Sequence, residues 1–155
     1  MKKALIWAAL TLGISNFSFA ADGSSAENGL VSVPSTHGVK ETADKLESVL
    51  TSKGMTVFTR INHTEGAKKA GKELRETEVV LFGNPKVGTP LMQCSQTMAI
   101  DLPQKALVWQ DENGAVWLSY NDPHYLASRH NIKDCDAAVA KVSGALAKFA
   151  KAATE

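Results

Sequence analysis

The chain has 155 residues, of which 44% are hydrophobic, and its 17 basic and 16 acidic residues leave a formal net charge of +1. A protein that binds nucleic acid or an anionic membrane surface usually has a large excess of basic residues, and this chain has none. The length suffices for one domain with one hydrophobic core. The sequence shows no internal repeat and no low-complexity linker.

The first twenty residues have the pattern of an export signal. Met1 to Lys3 supply a positive start, residues 4–14 are apolar, and Ser18-Phe19-Ala20 is a small-x-small cleavage site. Cleavage after Ala20 removes two lysines, and no later apolar run is long enough to cross a bilayer. We therefore expect a periplasmic protein without a membrane span after cleavage. Residues 21–28 are expected to be a mobile lead-in, and residues 29–153 a single domain.

The first half of this domain predicts strands around one helix. Residues 29–34 alternate and predict a strand that Pro34 ends. Apolar residues then recur at helical spacing from Val39 to Leu50, and Gly54 is typical of a helix C-terminus. Residues 55–61 alternate again and predict a strand. A loop or short helical turn is expected before the next strand, at residues 77–82.

The second half combines capped helices with a hairpin. Asn84 is well placed as an N-cap because Pro85 follows at the first helical position. Thr89-Pro90 repeats this device and predicts a second helix start. Asn113-Gly114 predicts a hairpin turn between residues 107–109 and 116–118. Asp122-Pro123 predicts another capped helix, and residues 135–149 carry the apolar stripe of a long terminal helix.

This order favours an α+β domain in which helices pack on one side of an antiparallel sheet. The predicted strands at 79–82, 107–109 and 116–118 are apolar at consecutive positions, whereas a sheet with one solvated face should alternate. We therefore expect a cover on the second face. The sequence leaves three alternatives for what covers this face: the short inserted helices, a second subunit or an apolar ligand.

Two runs of sequence carry a family resemblance. They are Phe-Gly-Asn-Pro-Lys-x-Gly-Thr-Pro-Leu-Met at residues 82–92 and Tyr-Asn-Asp-Pro at residues 120–123. With these runs the chain resembles, over residues 30–149, the bacterial family called domain of unknown function 302. The resemblance implies a TATA-binding-protein-like fold, with one curved antiparallel sheet backed by helices in the order β-α-β(4)-α with short helical inserts. It implies no activity, since none is assigned to the family.

Five residues are candidates for ligand binding: His63, Asn84, Lys86, Arg129 and His130. The turn at Asn84 and Lys86 is predicted either to hold an anion at a helix N-terminus or to be only a structural corner. His63 lies at a loop mouth, where binding residues are common. His130 lies at a helix C-terminus, where the helix dipole favours its protonated form. His63 and the Arg129-His130 pair also fall at positions that look like the family pattern.

The two cysteines, Cys94 and Cys135, leave three interpretations open. In an exported protein they favour a disulfide, which would close a loop of roughly 40 residues and contribute about 3–4 kcal/mol. They could instead be separate buried thiols, or belong to a metal or redox site such as copper(I) with Met92 or Met98. Cys135 looks like the family pattern, whereas Cys94 looks like a departure from it.

The sequence contains no visible nucleophile–base pair, metal-ligand spacing or phosphate loop. We therefore predict no catalytic residue, no metal and no cofactor. The leading hypothesis is a small-ligand-binding or accessory module. The alternative is a structural or interaction protein that forms a homodimer through its apolar sheet face. A hydrolase or redox enzyme that uses His63 or a cysteine is the third hypothesis.

Overall fold

The computed structural model describes residues 27–155, so the predicted export signal and most of the lead-in lie outside the described residues. The described part contains five strands and five α-helices, and a 3-10 helix at Gln96–Ile100 precedes the fourth strand. In chain order the elements are β1 Leu30–Ser35, α1 Val39–Ser52, β2 Thr56–Asn62, α2 His63–Lys69, β3 Thr77–Gly83, α3 Pro85–Cys94, β4 Gln104–Gln110, β5 Val116–Asn121, α4 Pro123–Arg129 and α5 Asp136–Thr154.

The strands form one antiparallel sheet in the order β1-β5-β4-β3-β2. Side chains alternate between its faces, so that in β3 Glu78, Val80 and Phe82 are buried while Val79 and Leu81 are half-buried. Helices α1 and α5 pack against each other and against the buried face. The predicted α+β class, with helices backing an antiparallel sheet, is confirmed.

The hydrophobic core lies between this face and the stripes of the two long helices. Leu46 and Leu50 of α1 and Val142 and Leu146 of α5 are almost completely buried. Burial of each such side chain contributes roughly 1.5–3 kcal/mol relative to exposure. The helical spacing predicted for both helices is therefore confirmed, and so is the end of α1, where Gly54 adopts a positive φ of 74°.

The second face of the sheet is only half-buried, and we call it the open face. Its apolar members are Val79, Leu81, Leu107, Trp109 and Trp117. The inserted helices α3 and α4 both contact α5, which lies on the opposite face. Helices α3 and α4 therefore do not cover the open face. The prediction that the inserted helices cover it is wrong for these two helices. The consecutive apolar runs come instead from one buried face and one apolar face that solvent still reaches.

The two indoles of the open face have their polar atoms paired. Trp109 Nε1–H donates to Ser119 Oγ at 2.9 Å, and Trp117 Nε1–H donates to Asp111 Oδ2 at 2.9 Å. The Trp117 indole and two backbone N–H groups of the hairpin turn lower the pKa of Asp111. With these bonds made, the indoles present chiefly apolar ring surface to solvent.

Two predicted boundaries at prolines are wrong. Pro34 does not end β1 but lies inside it, opposite Trp117. Because β1 is an edge strand, the absence of a backbone N–H on Pro34 removes no required ladder bond. Thr89-Pro90 does not start a second helix, since α3 continues through Pro90 to Cys94. Pro90 lies near the middle of this short helix, where it removes one hydrogen bond.

A β-bulge in β2 overturns the alternation predicted for residues 55–61. Val57 pairs with Phe82 and Thr59 pairs with Leu81, so Phe58 is an extra residue in the strand. A bulge reverses the side-chain alternation beyond it. Arg60 therefore points to the helix-covered face.

Arg60 uses that position to join three elements. Its Nε donates to Glu78 Oε1 at 2.5 Å, and its Nη1 donates to Asp44 Oδ1 at 2.7 Å and Glu47 Oε2 at 2.9 Å. Glu78 is the most buried of the three acids, and its carboxylate is the main cause of the raised pKa of Arg60. Charge-assisted bonds of this kind link β2, β3 and α1.

Arg60→Met should lower the free energy of unfolding by about 2–4 kcal/mol, because it leaves the buried Glu78 carboxylate without its charged partner. Urea denaturation measures the loss. Lys40→Met is the matched control, since it removes an exposed pair with Asp44 that contributes less than about 1 kcal/mol. Equal losses in the two variants would contradict the role given to Arg60.

Candidate functional site

A cavity of about 470 Å³ opens where β3 ends. Its wall is built from the bulge of β2, helix α3, the segment that leads into β4, and one side chain of α5. The lining is mainly apolar and includes Phe58, Leu91, Met92, Leu102 and Val142. This volume lies in the range of roughly 300–1,000 Å³ that is typical of small-molecule sites.

Gly83 permits the close packing at the cavity wall. A Cβ atom at this position would lie 3.2 Å from Phe58 Cε2 and 3.6 Å from Pro103 Cβ. The bulge brings Phe58 to this point, and its side chain remains 57% exposed at the cavity. The missing side chain of Gly83 therefore lets Phe58 pack closely against the end of β3.

Asn84 caps α3, as predicted. Its Oδ1 accepts from the Lys86 N–H at 2.9 Å, and its Nδ2 donates to Gly54 O at 2.8 Å. Both ends of the amide are thus engaged within the protein. Asn84 joins the turn after α1 to the turn before α3 and lines the cavity from there.

The first turn of α3 offers little to an anion. Pro85 has no N–H, and the Lys86 N–H is bound by the Asn84 side chain. The N–H groups of Val87 and Gly88 both donate to Asn84 O, at 2.8 and 2.9 Å. Lys86 is exposed and does not line the cavity. The geometry of this turn favours the structural corner over the anion site.

Gln104 is the polar residue that analysis of the sequence missed. It is only 7% exposed and lines the cavity, and its Nε2 has no hydrogen-bond partner among residues 27–155. A buried donor without a partner costs about 1–3 kcal/mol. A signal was present in the sequence, because Gln104 shares the buried face of β4 with Ala106 and Val108.

The cavity lining carries no charged side chain within the described part of the chain. Its polar contributions come from Asn84, Thr89 and Gln104, and the Asn84 amide is already bonded. Thr89 lies at an exposed position. Gln104 Nε2 is fully buried and has no hydrogen-bond partner among residues 27–155, so it does not face the open space of the cavity.

Arg129 and His130 meet at a carboxylate beside the cavity. His130 Nε2 lies 2.6 Å from Asp101 Oδ2, and Arg129 Nη1 lies 3.2 Å from Asp101 Oδ1. The other ring nitrogen of His130 lies 2.9 Å from Thr97 Oγ1. Neither Arg129 nor His130 lines the cavity. Because Asp101 precedes the lining residue Leu102, their bonds to Asp101 stabilise the cavity wall from behind.

The predicted site residues therefore divide into three groups. Asn84 lines the cavity, Arg129 and His130 lie together at Asp101, and Lys86 and His63 lie in neither place. His63 is the exposed first residue of α2 and does not line the cavity. Their assignment as ligand-binding residues stays a prediction.

Cys94 and Cys135 form the disulfide that was one of the open interpretations. Their Cα atoms are 6.5 Å apart, and the bond joins the end of α3 to the residue before α5 across a separation of 41 residues. Within residues 27–155 no group of three His, Cys, Asp or Glu side chains could hold a metal ion. The bond fastens the helix that forms one cavity wall.

Comparison with known proteins places the chain in a family. The model of the family described as "Domain of unknown function DUF302" matches residues 31–149. The chain belongs to this family. A crystal structure titled as an uncharacterized conserved protein DUF302 from Bacillus stearothermophilus superposes with a TM-score of 0.74, covering 81% of this chain and 98% of that one. At 21% identity this likeness shows the fold alone.

Curated relatives match a shorter stretch. The chain is 50% identical over 106 residues to proteins named "Fluoride-specific ion channel FluC 1" of Brucella suis biovar 1 and of Brucella abortus biovar 1. These matches cover 68% of this chain but only 42% and 39% of the relatives. The chain thus spans about two fifths of their length. Among residues 27–155 no helix is both long and apolar enough to cross a membrane.

Proposed function

We propose that the protein is an exported small-ligand-binding module of the periplasm, with the cavity beside Gly83 as its binding site. The observation that carries this proposal is the mainly apolar cavity of about 470 Å³ at the end of β3. The proposed export rests on the pattern of the first twenty residues.

The cavity has the composition expected of such a site. Apolar side chains dominate the wall, so that an apolar ligand gains roughly 25 cal/mol for each Å² it removes from water. The disulfide and the Asn84 bonds tie the surrounding elements together, so the cavity needs little ordering before it binds.

A neutral apolar dye, N-phenyl-1-naphthylamine, should bind saturably with one molecule per chain and gain fluorescence as it leaves water. Ala99→Trp should weaken binding at least about tenfold, because Ala99 is an exposed cavity residue whose enlargement fills the space. Ala147→Trp, on an exposed position of α5 outside the cavity, is the control. Circular dichroism establishes that both variants are folded. Equal binding by both variants would refute the cavity as the site.

Self-association through the open face is a second candidate function. Trp109 and Trp117 lie there with their indole N–H groups already bonded, and tryptophan is enriched at protein interfaces. In the Brucella relatives the matching region belongs to a longer chain, which supports an accessory role beside another protein or domain.

Light scattering on the purified chain tests this second candidate. A homodimer predicts twice the chain mass, and Trp109→Glu should return the mass to that of one chain by placing a charge in the apolar interface. Ile100→Glu is the control, since Ile100 is an exposed apolar residue outside the open face. A wild-type monomer would refute the second candidate and leave ligand binding untouched.

A further inference from the structure

We propose that Thr97, His130 and Asp101 form a hydrolytic site, in which the Thr97 hydroxyl attacks carboxylic esters that carry a short apolar acyl group. None of the three residues lines the cavity, so this activity is independent of the proposed ligand binding. Thr97 lies in the 3-10 helix, Asp101 directly follows that helix, and His130 follows α4, 33 positions from Thr97. The fold therefore brings together residues that no local sequence motif joins.

The hydrogen bonds of this cluster run in one direction. His130 Nε2 lies 2.6 Å from Asp101 Oδ2, and because a carboxylate only accepts, Nε2 carries the ring proton. In the neutral imidazole Nδ1 is then an acceptor, and the Thr97 hydroxyl, 2.9 Å away, donates to it. A nucleophile, a base and a group that orients the base thus stand in the order of a catalytic triad.

Burial fixes the base and leaves the nucleophile at the surface. The side chains of His130 and Asp101 are only 6% and 12% exposed. Arg129 Nη1 holds the other oxygen of Asp101 at 3.2 Å, so the carboxylate is fixed from two sides. Thr97, in contrast, lies at an exposed position. A reactant can therefore approach Thr97 from solvent while the His130 ring stays in place.

Two neighbours of Thr97 indicate the kind of reactant. Ser95 Oγ lies 3.0 Å from Thr97 Oγ1, and because the Thr97 proton goes to His130, the Ser95 hydroxyl donates to Thr97. A donor therefore lies where negative charge develops during attack. Ile100 is 73% exposed and follows Thr97 by one turn of the 3-10 helix, so both lie on the same side of it. This apolar neighbour favours a short apolar acyl group.

The reaction balances in two steps. Thr97 Oγ1 forms a bond to the carbonyl carbon, its proton passes to His130 Nδ1, and the ester C–O bond breaks as the leaving oxygen takes that proton to become an alcohol. Water then attacks the acyl-Thr97 ester with His130 Nδ1 as base, which releases the acid and returns the proton to Thr97. Asp101 touches no reactant and is a positioning residue, because it keeps the ring proton of His130 on Nε2.

A fluorophosphonate probe with a short alkyl chain tests the nucleophile, because attack on phosphorus expels fluoride and leaves a stable adduct. Peptide mass spectrometry should place that adduct on Thr97. Thr97→Val should abolish labelling, whereas Thr97→Ser should retain it because it keeps a hydroxyl. Thr56→Val, at an exposed position of β2, is the control and should label like the wild type. Absence of labelling in the wild type, or labelling that Thr97→Val leaves unchanged, overturns the proposal.

The base and the positioning residue have separate readouts. His130→Gln should lower the labelling rate at least about 100-fold, the contribution of a general base, whereas His124→Gln at an exposed position of α4 should not change it. Asp101→Asn should lower the maximal labelling rate without changing the probe concentration that gives half of it, because the amide can hold the ring in the other tautomer. Circular dichroism establishes folding, and the Thr97 variants decide if either of these fails to fold. An unchanged rate in folded His130→Gln would contradict the triad.

Two p-nitrophenyl esters test the substrate class. The wild type should hydrolyse the butyrate with a higher kcat/KM than the acetate, and Thr97→Val should hydrolyse neither above the rate in buffer. Ile100→Ser should remove the preference for the butyrate, whereas Leu74→Ser, which changes another exposed apolar residue, should keep it. Equal kcat/KM values for the two esters in the wild type would overturn the assignment of the acyl group.

Discussion

The corner between β3 and α3 is the constraint on which the rest of the site depends. The strand ends at Gly83, where the missing side chain lets Phe58 and Pro103 pack closely. Asn84 then caps the helix through its Oδ1 and bonds to Gly54 through its Nδ2. Gly83 and Asn84 therefore turn the chain and connect it to the end of α1. The cavity is the space that this corner leaves between the sheet and α3.

The described residues present two apolar surfaces of different kinds, on opposite sides of the sheet. Helices α1, α3, α4 and α5 all gather on one side of the sheet, and the cavity is a gap in that packed layer. The open face lies on the other side, with its two indoles already hydrogen-bonded. A concave apolar cavity is typical of small-molecule sites, whereas exposed tryptophans on a sheet face are typical of contacts with a second protein.

Local chemistry could be predicted from the sequence, whereas contacts between distant segments could not. The caps at Asn84 and Asp122 and the stripe of α5 each depend on residues within a few positions, and the structure confirms them. The bulge at Phe58 depends on pairing with β3, so strict alternation misplaced Arg60. Gln104 lay outside the strand predicted at residues 107–109, so its burial as the first residue of β4 was not predicted.

A crystal structure of the protein with the neutral apolar compound 4′-bromobutyrophenone would show where such a ligand binds, since anomalous scattering locates the bromine independently of the protein density. Ligand binding in the cavity predicts a bromine peak between Phe58 and Leu102. A bromine peak on the open face beside Trp109, with the cavity unoccupied, would contradict it.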